Sequence, residues 1–391
     1  MKTKSRTQLN TFILLLSLLP VSSLISGCQP KNQVVQFHQS FKPGEIWIDS
    51  DSVHINAHGG GILFHDNTYY WFGEHKTEGR RGNTALVGVR CYSSSDLYNW
   101  KNEGVAIAVS DKAGSDIEKG SVIERPKVIY NEKTGKFVMW FHLELKGQNY
   151  KAARTGLAVS DHITGPYTFV KSLRPNQKEW PVDYPESMKS HEYKADLEWW
   201  TTEWREAISN GLFLKRDFEE GQMSRDMTLF VDDDGKAYHI HSSEDNLTLH
   251  ISELTDDYQS FTGKYMRIFP GGHNEAPALF KHDGSYYLLA SGCTGWDPND
   301  ARIFKAKNIW GPWESLGNPC VGEDANLTFH SQSTYVLPIQ GMENTLIYMG
   351  DRWTPKNPID GRYIWLPLTF EDNKPSIQWH DEWNLSIFEN H

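Results

Sequence analysis

The sequence has no surplus of positive charge and little cysteine. Its 391 residues include 39 Lys and Arg against 50 Asp and Glu, so the formal net charge is −11 at pH 7. A chain with this balance repels polyanions, which argues against nucleic acid and anionic polymers as partners. The 4 cysteines do not have the spacing of a zinc site.

Hydrophobic runs long enough to cross a membrane are also missing. The apolar stretch at residues 12–19 is far shorter than the ~20 residues that a membrane-spanning helix needs. Lys2, Lys4 and Arg6 precede it and small residues follow it, which is the layout of a secretory signal peptide. We therefore predict that residues 1–27 are removed from the mature protein.

The end of this signal resembles a bacterial lipobox. Ile25-Ser-Gly-Cys28 places Cys28 at the lipidated first position of a lipoprotein, and Gln29 fits sorting to the outer membrane. Residues 28–44 would then be a linker. This predicts a protein of the bacterial cell envelope, on its periplasmic or surface side, that touches the membrane only through its lipid anchor. The alternative is an ordinary secretory signal with an incidental cysteine.

The three remaining cysteines allow at most one internal disulfide. Cys293 and Cys320 lie on neighbouring sequence modules and are the predicted pair. Cys91 lies in an alternating apolar segment, residues 87–92, and is predicted to be a buried thiol.

Sustained helical periodicity is scarce as well. From about residue 45 the chain consists of short apolar segments, turns and aromatic-rich segments, a pattern typical of strands. The theme recurs five times, with predicted first strands at residues 61–64, 126–130, 227–231, 278–281 and 332–337. Five copies of roughly 40–60 residues predict an all-β fold, a five-bladed β-propeller over residues 45–391.

The first strand of each blade lines the axis of a propeller, so the residues at its mouth converge on one pocket. Five positions are predicted to meet there: Ala57-His58, Glu124, Asp226, Glu275 and Gln332. The run Asp232-Asp-Asp-Gly235 lacks the spacing of a calcium loop and is predicted to be a hairpin turn. The sequence indicates no cofactor and no structural calcium site.

Residues 174–222 interrupt the repeat between blades two and three. They are rich in Trp, Glu and Lys, and residues 192–209 could form a short helix. The insertion is predicted to be irregular and partly helical. It could be a lid over the pocket or a side-packed element, and its Trp cluster could bind sugar or be buried.

Glu275 is the pocket residue with the clearest chemical potential. It lies in a segment bounded by Gly and Pro, just before a strand, where burial could raise its pKa and allow general-acid catalysis. An isolated glutamate in a loop would more often be solvated.

The order of these segments resembles glycoside hydrolase family 43, and within it the exo-β-1,3-galactanase group. The resembling segments span about residues 45–385: 57–61, 70–74, 91–97, 124–129, 138–142, 225–226, 275–277, 295–296, 331–332, 350–353 and 362–365. The resemblance implies that Glu275 is the general acid and that Asp226 raises its pKa and orients it. It implies a substrate contact for Glu124, and further positions at the sugar site for Glu74, Tyr150, Asn246 and Trp296.

The predicted base differs from the wider family, which uses an Asp on the first strand of blade one. This chain has Asn56-Ala57-His58 there, with no carboxylate. The galactanase group places a glutamine on blade five, matched by Gln332, which would act as its imidic-acid tautomer. Alternatively Gln332 positions the water and Glu124 takes the proton. His58 is a third candidate, otherwise a hydrogen-bonding residue of the Gly-rich turn.

The predicted function is that of an inverting exo-acting glycosidase, a monomer, that releases galactose from the β-1,3-galactan backbone of arabinogalactan. Its partner would be a plant cell-wall polysaccharide or oligosaccharide. The alternatives are an α-L-arabinofuranosidase or β-xylosidase of the same fold, and a non-catalytic glycan-binding lipoprotein. Retention of both Glu275 and Asp226 favours an enzyme, because a binding protein needs no group that adjusts a pKa.

Overall fold

The computed structural model describes residues 37–194, 196–295 and 297–390. The predicted signal peptide, Cys28 and most of the linker lie outside the described residues, as does Trp296. The residues from Phe37 onward form one compact unit. Within the described ranges, no helix is both long enough and apolar enough to span a bilayer.

Five antiparallel sheets account for most of this unit. Blade one contains β1 (His58–His65), β2 (Thr68–Glu74), β3 (Gly88–Ser94) and β4 (Lys101–Ala108). Blade two contains β5 (Val122–Asn131), β6 (Lys136–Glu144), β7 (Arg154–Ser160) and β8 (Thr168–Leu173). Blade three contains β9 (Met227–Val231), β10 (Ala237–Ser243), β11 (Thr248–Leu254) and β12 (Phe261–Ile268).

Blades four and five complete the set. Blade four contains β13 (Glu275–His282), β14 (Ser285–Ser291), β15 (Ala301–Ala306) and β16 (Glu314–Gly317). Blade five contains β18 (Gln332–Pro338), β19 (Leu346–Arg352), β20 (Arg362–Glu371) and β21 (Lys374–Gln378), with the short β17 (Cys320–Val321) added in parallel at its outer edge. Three 3-10 helices lie at Asn149–Lys151, Ala325–His330 and Leu385–Asn390.

The first strands form a closed ring around an axis. β1 contacts β5, β5 contacts β9, β9 contacts β13, β13 contacts β18, and β18 returns to β1. The predicted five-bladed β-propeller is therefore confirmed. The second strands are almost wholly buried between their neighbours, as in β10 and β14. In β14 this burial accompanies a nearly continuous apolar run, residues 286–290. The turn at Asp232–Gly235 joins β9 to β10, with Gly235 N–H donating to Asp232 O at 2.8 Å.

An aromatic cluster joins the first blade to the last. Trp71 of blade one and Trp365 of blade five have ring centroids 4.9 Å apart, and both are buried. Phe41 packs on Trp383, and the two residues exchange backbone hydrogen bonds of 2.7 and 3.1 Å. Phe41 lies within the range predicted as a linker, yet it is buried, because a large aromatic side chain fills the seam between the blades.

The insertion packs against blade three. Its helices are α1 (Glu186–Lys189), α2 (Thr202–Ser209) and α3 (Leu212–Arg216). The predicted helix over residues 192–209 begins only at Thr202, because Thr201 caps it by accepting a hydrogen bond from Trp204 N–H at 3.2 Å. Trp204 is buried, whereas Trp199 and Trp200 are 55% and 52% exposed.

Arg267 of blade three holds the end of α2. Its guanidinium donates to the carbonyls of Ile208 and Ser209 at 2.9 and 3.0 Å, and to Glu244 at 2.6 and 2.8 Å. The cation satisfies carbonyls that the end of a helix leaves unpaired. The Trp204 side of the insertion is thus a side-packed element.

The predicted disulfide between Cys293 and Cys320 is wrong, since both are free thiols. Cys293 follows the inner strand β14 and donates to the carbonyl of Asn246 at 3.5 Å. Cys320 lies at the outer edge of blade five, opposite Ile377. Proximity of sequence modules does not predict radial position within a blade. Cys91 is buried, as predicted.

Candidate active site

A shared backbone irregularity positions the pocket residues. In β1, β5 and β13 one extra residue bulges out directly after His58, Glu124 and Glu275, and in β18 a bulge follows Ser333. The first three bulges place a residue with a left-handed φ next in the chain, at Gly59, Arg125 and Ala276. A bulge turns the strand locally and redirects a side chain, here towards the axis.

These side chains meet in a pocket of about 350 Å3 that all five blades line. Eight of the nine residues predicted for binding and catalysis lie on its wall: His58, Glu74, Glu124, Tyr150, Asp226, Asn246, Glu275 and Gln332. The ninth, Trp296, lies outside the described residues. The structure thus brings the predicted set together, while their individual roles stay predictions.

Glu275 is partly buried and is held by hydrogen bonds. Its carboxylate accepts hydrogen bonds from Asn246 Nδ2 and Gln332 Nε2, both at 3.1 Å. Burial, and then the negative charge of Asp226, raise the pKa of Glu275 to about 7. Near neutral pH this carboxyl can therefore hold a proton and give it to a bound molecule.

Asp226 lies beside Glu275 but is held differently. Its Oδ2 accepts hydrogen bonds from Arg125 Nη2 at 3.0 Å and from Ala276 N–H at 3.1 Å. Contact with a guanidinium stabilises an ionised carboxylate. The two neighbouring carboxyl groups are thus in unlike environments, one protonated easily and the other paired with a cation.

Arg125 connects three blades. Besides Asp226, its guanidinium donates to Ser333 O at 2.6 Å and to Gln332 Oε1 at shorter range. Its backbone N–H donates to Glu74 Oε1 at 2.7 Å. The side chain is buried, so each of these acceptors compensates part of the cost of removing the cation from water.

Glu124 is part of a buried chain of charges. His142 Nδ1 lies 2.9 Å from Glu124 and its Nε2 lies 2.9 Å from Glu144. Burial alone would lower the pKa of His142, but the two glutamates outweigh it and raise that pKa to about 9. Burial would raise the pKa of Glu124, but His142, Lys76 and Tyr150 outweigh it and hold that pKa far below its usual value.

The blade-one side of the pocket contains a second group of contacts. Lys76 pairs with Glu74, and the Glu74 carboxylate lies so close to Gly59 that any side chain there would collide with it. Asp351 of β19 accepts a hydrogen bond from Gly59 N–H and lies 3.3 Å from His58 Nδ1. Burial raises the pKa of Asp351 to about 7 and lowers the pKa of His58 well below its usual value.

Sequence reasoning did not assign a role to several lining residues. They are Asn83, Arg125, His142 and Asp351. Three of them, all but Asn83, lie in the resembling segments 124–129, 138–142 and 350–353, so their positions carried a signal. The contacts of Asn83, Arg125 and Asp351 cross between blades, however, and such pairings have no trace in the spacing of residues along one strand. Those of His142 stay within blade two.

One group of described residues has ligand atoms close enough to hold a metal ion. The atoms of Glu124, His142 and Asp226 lie within 4.8 Å of one another. Both ring nitrogens of His142 face carboxylates, and its raised pKa favours the protonated ring, which cannot ligate a metal. These residues fit a proton better than an ion.

Comparisons with known proteins agree with this chemistry. The family described as Glycosyl hydrolases family 43 matches residues 195–353. A solved β-1,3-galactosidase of family GH43, in complex with galactodeoxynojirimycin, is 58% identical with a TM-score of 0.86, over 88% of this chain and 100% of that one. The exo-β-1,3-galactanase of Phanerochaete chrysosporium, solved with β-1,3-galactotriose, is 32% identical with a TM-score of 0.72, over 90% of this chain and 70% of that one.

Curated relatives are more distant. The xylan 1,3-β-xylosidase of a Vibrio species is 25% identical over 244 residues, which is 58% of this chain and 36% of the relative. The β-xylosidase of Bacillus subtilis is 29% identical over 188 residues, 40% of this chain and 33% of the relative. The chain thus spans about a third of the length of these two relatives.

The resemblance to this family and to its exo-β-1,3-galactanase group is confirmed by these matches. Identity of 58% over the whole length of a solved family member is decisive for family membership, and the pocket retains a carboxyl suited to proton transfer. The chain is a glycosidase and belongs to glycoside hydrolase family 43.

Proposed function

We propose that this glycosidase removes galactose from the end of β-1,3-linked galactan chains, with inversion at the anomeric carbon. The observation that carries the proposal is Glu275, a partly buried carboxyl with a pKa of about 7 beside Asp226, in a pocket that all five blades line. A pocket surrounded by five blades suits the end of a chain, whereas a cleft that runs across a surface accepts its middle. This supports exo action.

Glu275 is the proposed general acid. Its proton goes to the glycosidic oxygen as the bond from that oxygen to the anomeric carbon breaks. Asp226 keeps the proton on Glu275 until it is needed, because a second negative charge nearby is unfavourable. Asn246 and Gln332 fix the carboxyl by hydrogen bonds at 3.1 Å.

Sugar contacts are proposed for the other polar side chains of the wall. Tyr150 donates to Glu124 Oε1 at 2.7 Å, and Asn83 donates to the same oxygen at 3.1 Å. These bonds hold Glu124 in place with its charge retained. An ionised carboxylate with a low pKa accepts hydrogen bonds from sugar hydroxyls well, but it is a weak base towards water.

β-Galactose specificity is supported by the relatives with galactose-type ligands, which are more similar than those called xylosidases. The solved β-1,3-galactosidase is 58% identical, against 25% and 29% for the two curated xylosidases. The competing function is β-xylosidase or α-L-arabinofuranosidase activity in the same pocket. A non-catalytic sugar-binding role is disfavoured by the protonated state available to Glu275.

Product analysis tests the proposal. Purified protein would be incubated with β-1,3-galactobiose, β-1,3-galactotriose and debranched arabinogalactan, and the first product followed by NMR. We expect α-galactose as the initial product and stepwise shortening of the triose. Faster turnover of aryl β-xyloside or aryl α-L-arabinofuranoside than of galactobiose would contradict it, as would galactan binding without any product.

We further propose that the mature protein is anchored through a lipid on Cys28. The argument comes from the sequence alone, from Ile25-Ser-Gly-Cys28 after an apolar stretch. Metabolic labelling with a fatty acid should mark the wild-type protein in a bacterial host, and Cys28→Ser should abolish the label. An unlabelled wild-type protein in the soluble periplasmic fraction would show an ordinary secretory signal instead.

A further inference from the structure

Asp351 is a pocket carboxylate with an unusual position. It lies on β19 directly opposite Gln332 of β18, so the two side chains share one face of blade five. It is only 5% exposed, yet it lines the pocket. Its carboxylate reaches across to blade one, where Oδ2 accepts the N–H of Gly59.

The two oxygens of Asp351 have different surroundings. Oδ2 is held by Gly59 and lies 3.3 Å from His58 Nδ1. Oδ1 makes no hydrogen bond to any residue that the structure describes, and it is not among the fully buried polar atoms. One oxygen thus fixes the group while the other keeps its lone pairs for a molecule in the pocket.

Three other carboxylates of the pocket are paired with cations. Asp226 pairs with Arg125 at 3.0 Å, and Glu74 pairs with Lys76 at shorter range. Glu124 faces His142, whose ring is protonated at neutral pH. Each cation reduces the affinity of its partner for a further proton.

Asp351 differs because no Lys or Arg of the described residues contacts its carboxylate. Its direct neighbours are an amide N–H and His58, a ring that is kept neutral, while Arg125 and Lys127 act only through their electrostatic field, opposed by Glu74. Asp351 therefore lacks the direct contact with a cation that reduces the proton affinity of Asp226, Glu74 and Glu124.

Gln332 is poorly arranged to accept a proton. Its Nε2 donates to Glu275 at 3.1 Å and to Ser291 at 2.9 Å, while its Oε1 accepts from the Arg125 guanidinium. Gln332 contacts Glu275 and lies opposite Asp351 in the backbone ladder of blade five, so it neighbours both carboxyl-bearing residues. An inverting pair needs a gap of about 6.5–9.5 Å, which leaves room for a water molecule.

We propose that Asp351 is the general base of the hydrolysis. The inference rests on the proposed galactosidase function and names the residue that activates water. As the water oxygen bonds to the anomeric carbon, its proton passes to Asp351 Oδ1, and the bond to the leaving sugar breaks as Glu275 protonates the departing oxygen. Gln332 then serves as a positioning residue for Glu275.

β-D-Galactosyl fluoride separates the two carboxyl groups, because fluoride leaves without a proton from an acid. Glu275→Gln should lose turnover of β-1,3-galactobiose and keep turnover of the fluoride. Asp351→Asn should lose about 100- to 10,000-fold on both substrates, while its amide oxygen still accepts the Gly59 N–H. Circular dichroism and binding of galactodeoxynojirimycin would verify that the variants are folded.

Azide provides a readout that a structural role would not produce. In Asp351→Ala, azide can attack in place of water without deprotonation, so we expect rescued turnover of the fluoride and α-galactosyl azide as product. Glu124→Ala and Gln332→Ala are the matched variants, and we expect no such product from them. If Asp351→Ala fails to fold, turnover of β-D-galactosyl fluoride by Asp351→Asn tests the base assignment instead.

Failure of this inference is distinguishable from failure of the proposed function. Wild-type protein that turns over neither galactobiose nor galactosyl fluoride would refute galactosidase activity. Active wild-type protein with a folded, fully active Asp351→Asn would overturn the base assignment alone. The base assignment would also be overturned if Glu124→Ala or Gln332→Ala formed α-galactosyl azide and Asp351→Ala did not.

Discussion

Asp226 Oδ2 accepts the backbone N–H of Ala276, the residue after Glu275, at 3.1 Å. The left-handed φ of +56° at Ala276 belongs to the bulge that redirects the Glu275 side chain. Asp226 therefore stabilises the backbone that presents the acid and also raises the pKa of the acid through its charge. Position and protonation of Glu275 depend on the same neighbour.

Glu275→Gln should reduce kcat on β-1,3-galactobiose by at least about 100-fold, because the amide has no proton to give to a leaving sugar. Binding of galactose or galactodeoxynojirimycin should change little, since the amide keeps the shape of the side chain. Steady-state kinetics and calorimetry would measure the two effects. Wild-type turnover by this variant would contradict the assignment.

The pH profile of the wild-type protein should lose activity as pH rises through about 7. Glu275 must be protonated to act as an acid, and its pKa is raised to about 7. In Asp226→Asn the raising charge is gone, so the alkaline limb should move to lower pH. An unchanged limb would show that Asp226 does not control the acid.

Arg125→Met should move the alkaline limb of the pH–activity profile to higher pH, opposite to the effect of Asp226→Asn. The Arg125 charge lowers the pKa of Glu275, so its removal should raise that pKa further. It also leaves the half-buried Asp226 without its cation, which should destabilise the fold by about 1–3 kcal/mol in a urea titration. The pH profile of Asp226→Asn is the matched control. If the alkaline limbs of both variants moved in the same direction, the charges of Asp226 and Arg125 would not be what sets the pKa of Glu275.

His142 should make stability depend on pH in a defined window. Its folded pKa of about 9 exceeds the unfolded value of 6.5, so its contribution is complete below pH 6.5 and is lost as pH rises through 9. The difference in unfolding free energy between wild type and His142→Gln should therefore be largest below pH 6.5 and shrink towards pH 9. A constant difference would mean that the imidazole is neutral when folded.

Two tryptophans of the insertion should differ in their contribution to stability. Trp204 is 2% exposed, so Trp204→Ala should cost about 3–5 kcal/mol of unfolding free energy. Trp199 is 55% exposed, so Trp199→Ala should cost about 1 kcal/mol or less. Urea titrations of both variants would check this, and equal losses would show that the exposed ring is packed in solution.

Much of the architecture was predictable because propeller blades repeat a local pattern. Strand β9 has the predicted bounds, Met227–Val231, and the Asp232–Gly235 turn follows it. The alternation of apolar segments and turn residues is visible in the sequence, so the number of blades follows from the number of repeats. That count also placed five pocket positions around one axis, and the family resemblance added Glu74, Tyr150 and Asn246.

Contacts between blades were not predictable in this way. The disulfide prediction failed because Cys293 and Cys320 lie at different radial positions, inner and outer, that the module order does not encode. The helix of the insertion begins at Thr202, later than the predicted start at residue 192, because Thr201 caps it. The absence of the disulfide and the start of the helix each depended on the spatial surroundings of single side chains, which the sequence pattern does not give.

The sequence by itself determined the fold, the pocket and the identity of Glu275 as the candidate acid, because strand periodicity and motif order are local properties. Only the tertiary structure decided the protonation and the side-chain orientation of the pocket residues. Burial, the bulge at Ala276 and the partners Asp226 and Arg125 set the pKa and the direction of Glu275, and a strand of blade five places Asp351 against blade one. Desolvation and long-range pairing arise only when distant segments meet, and they decide which carboxyl holds a proton.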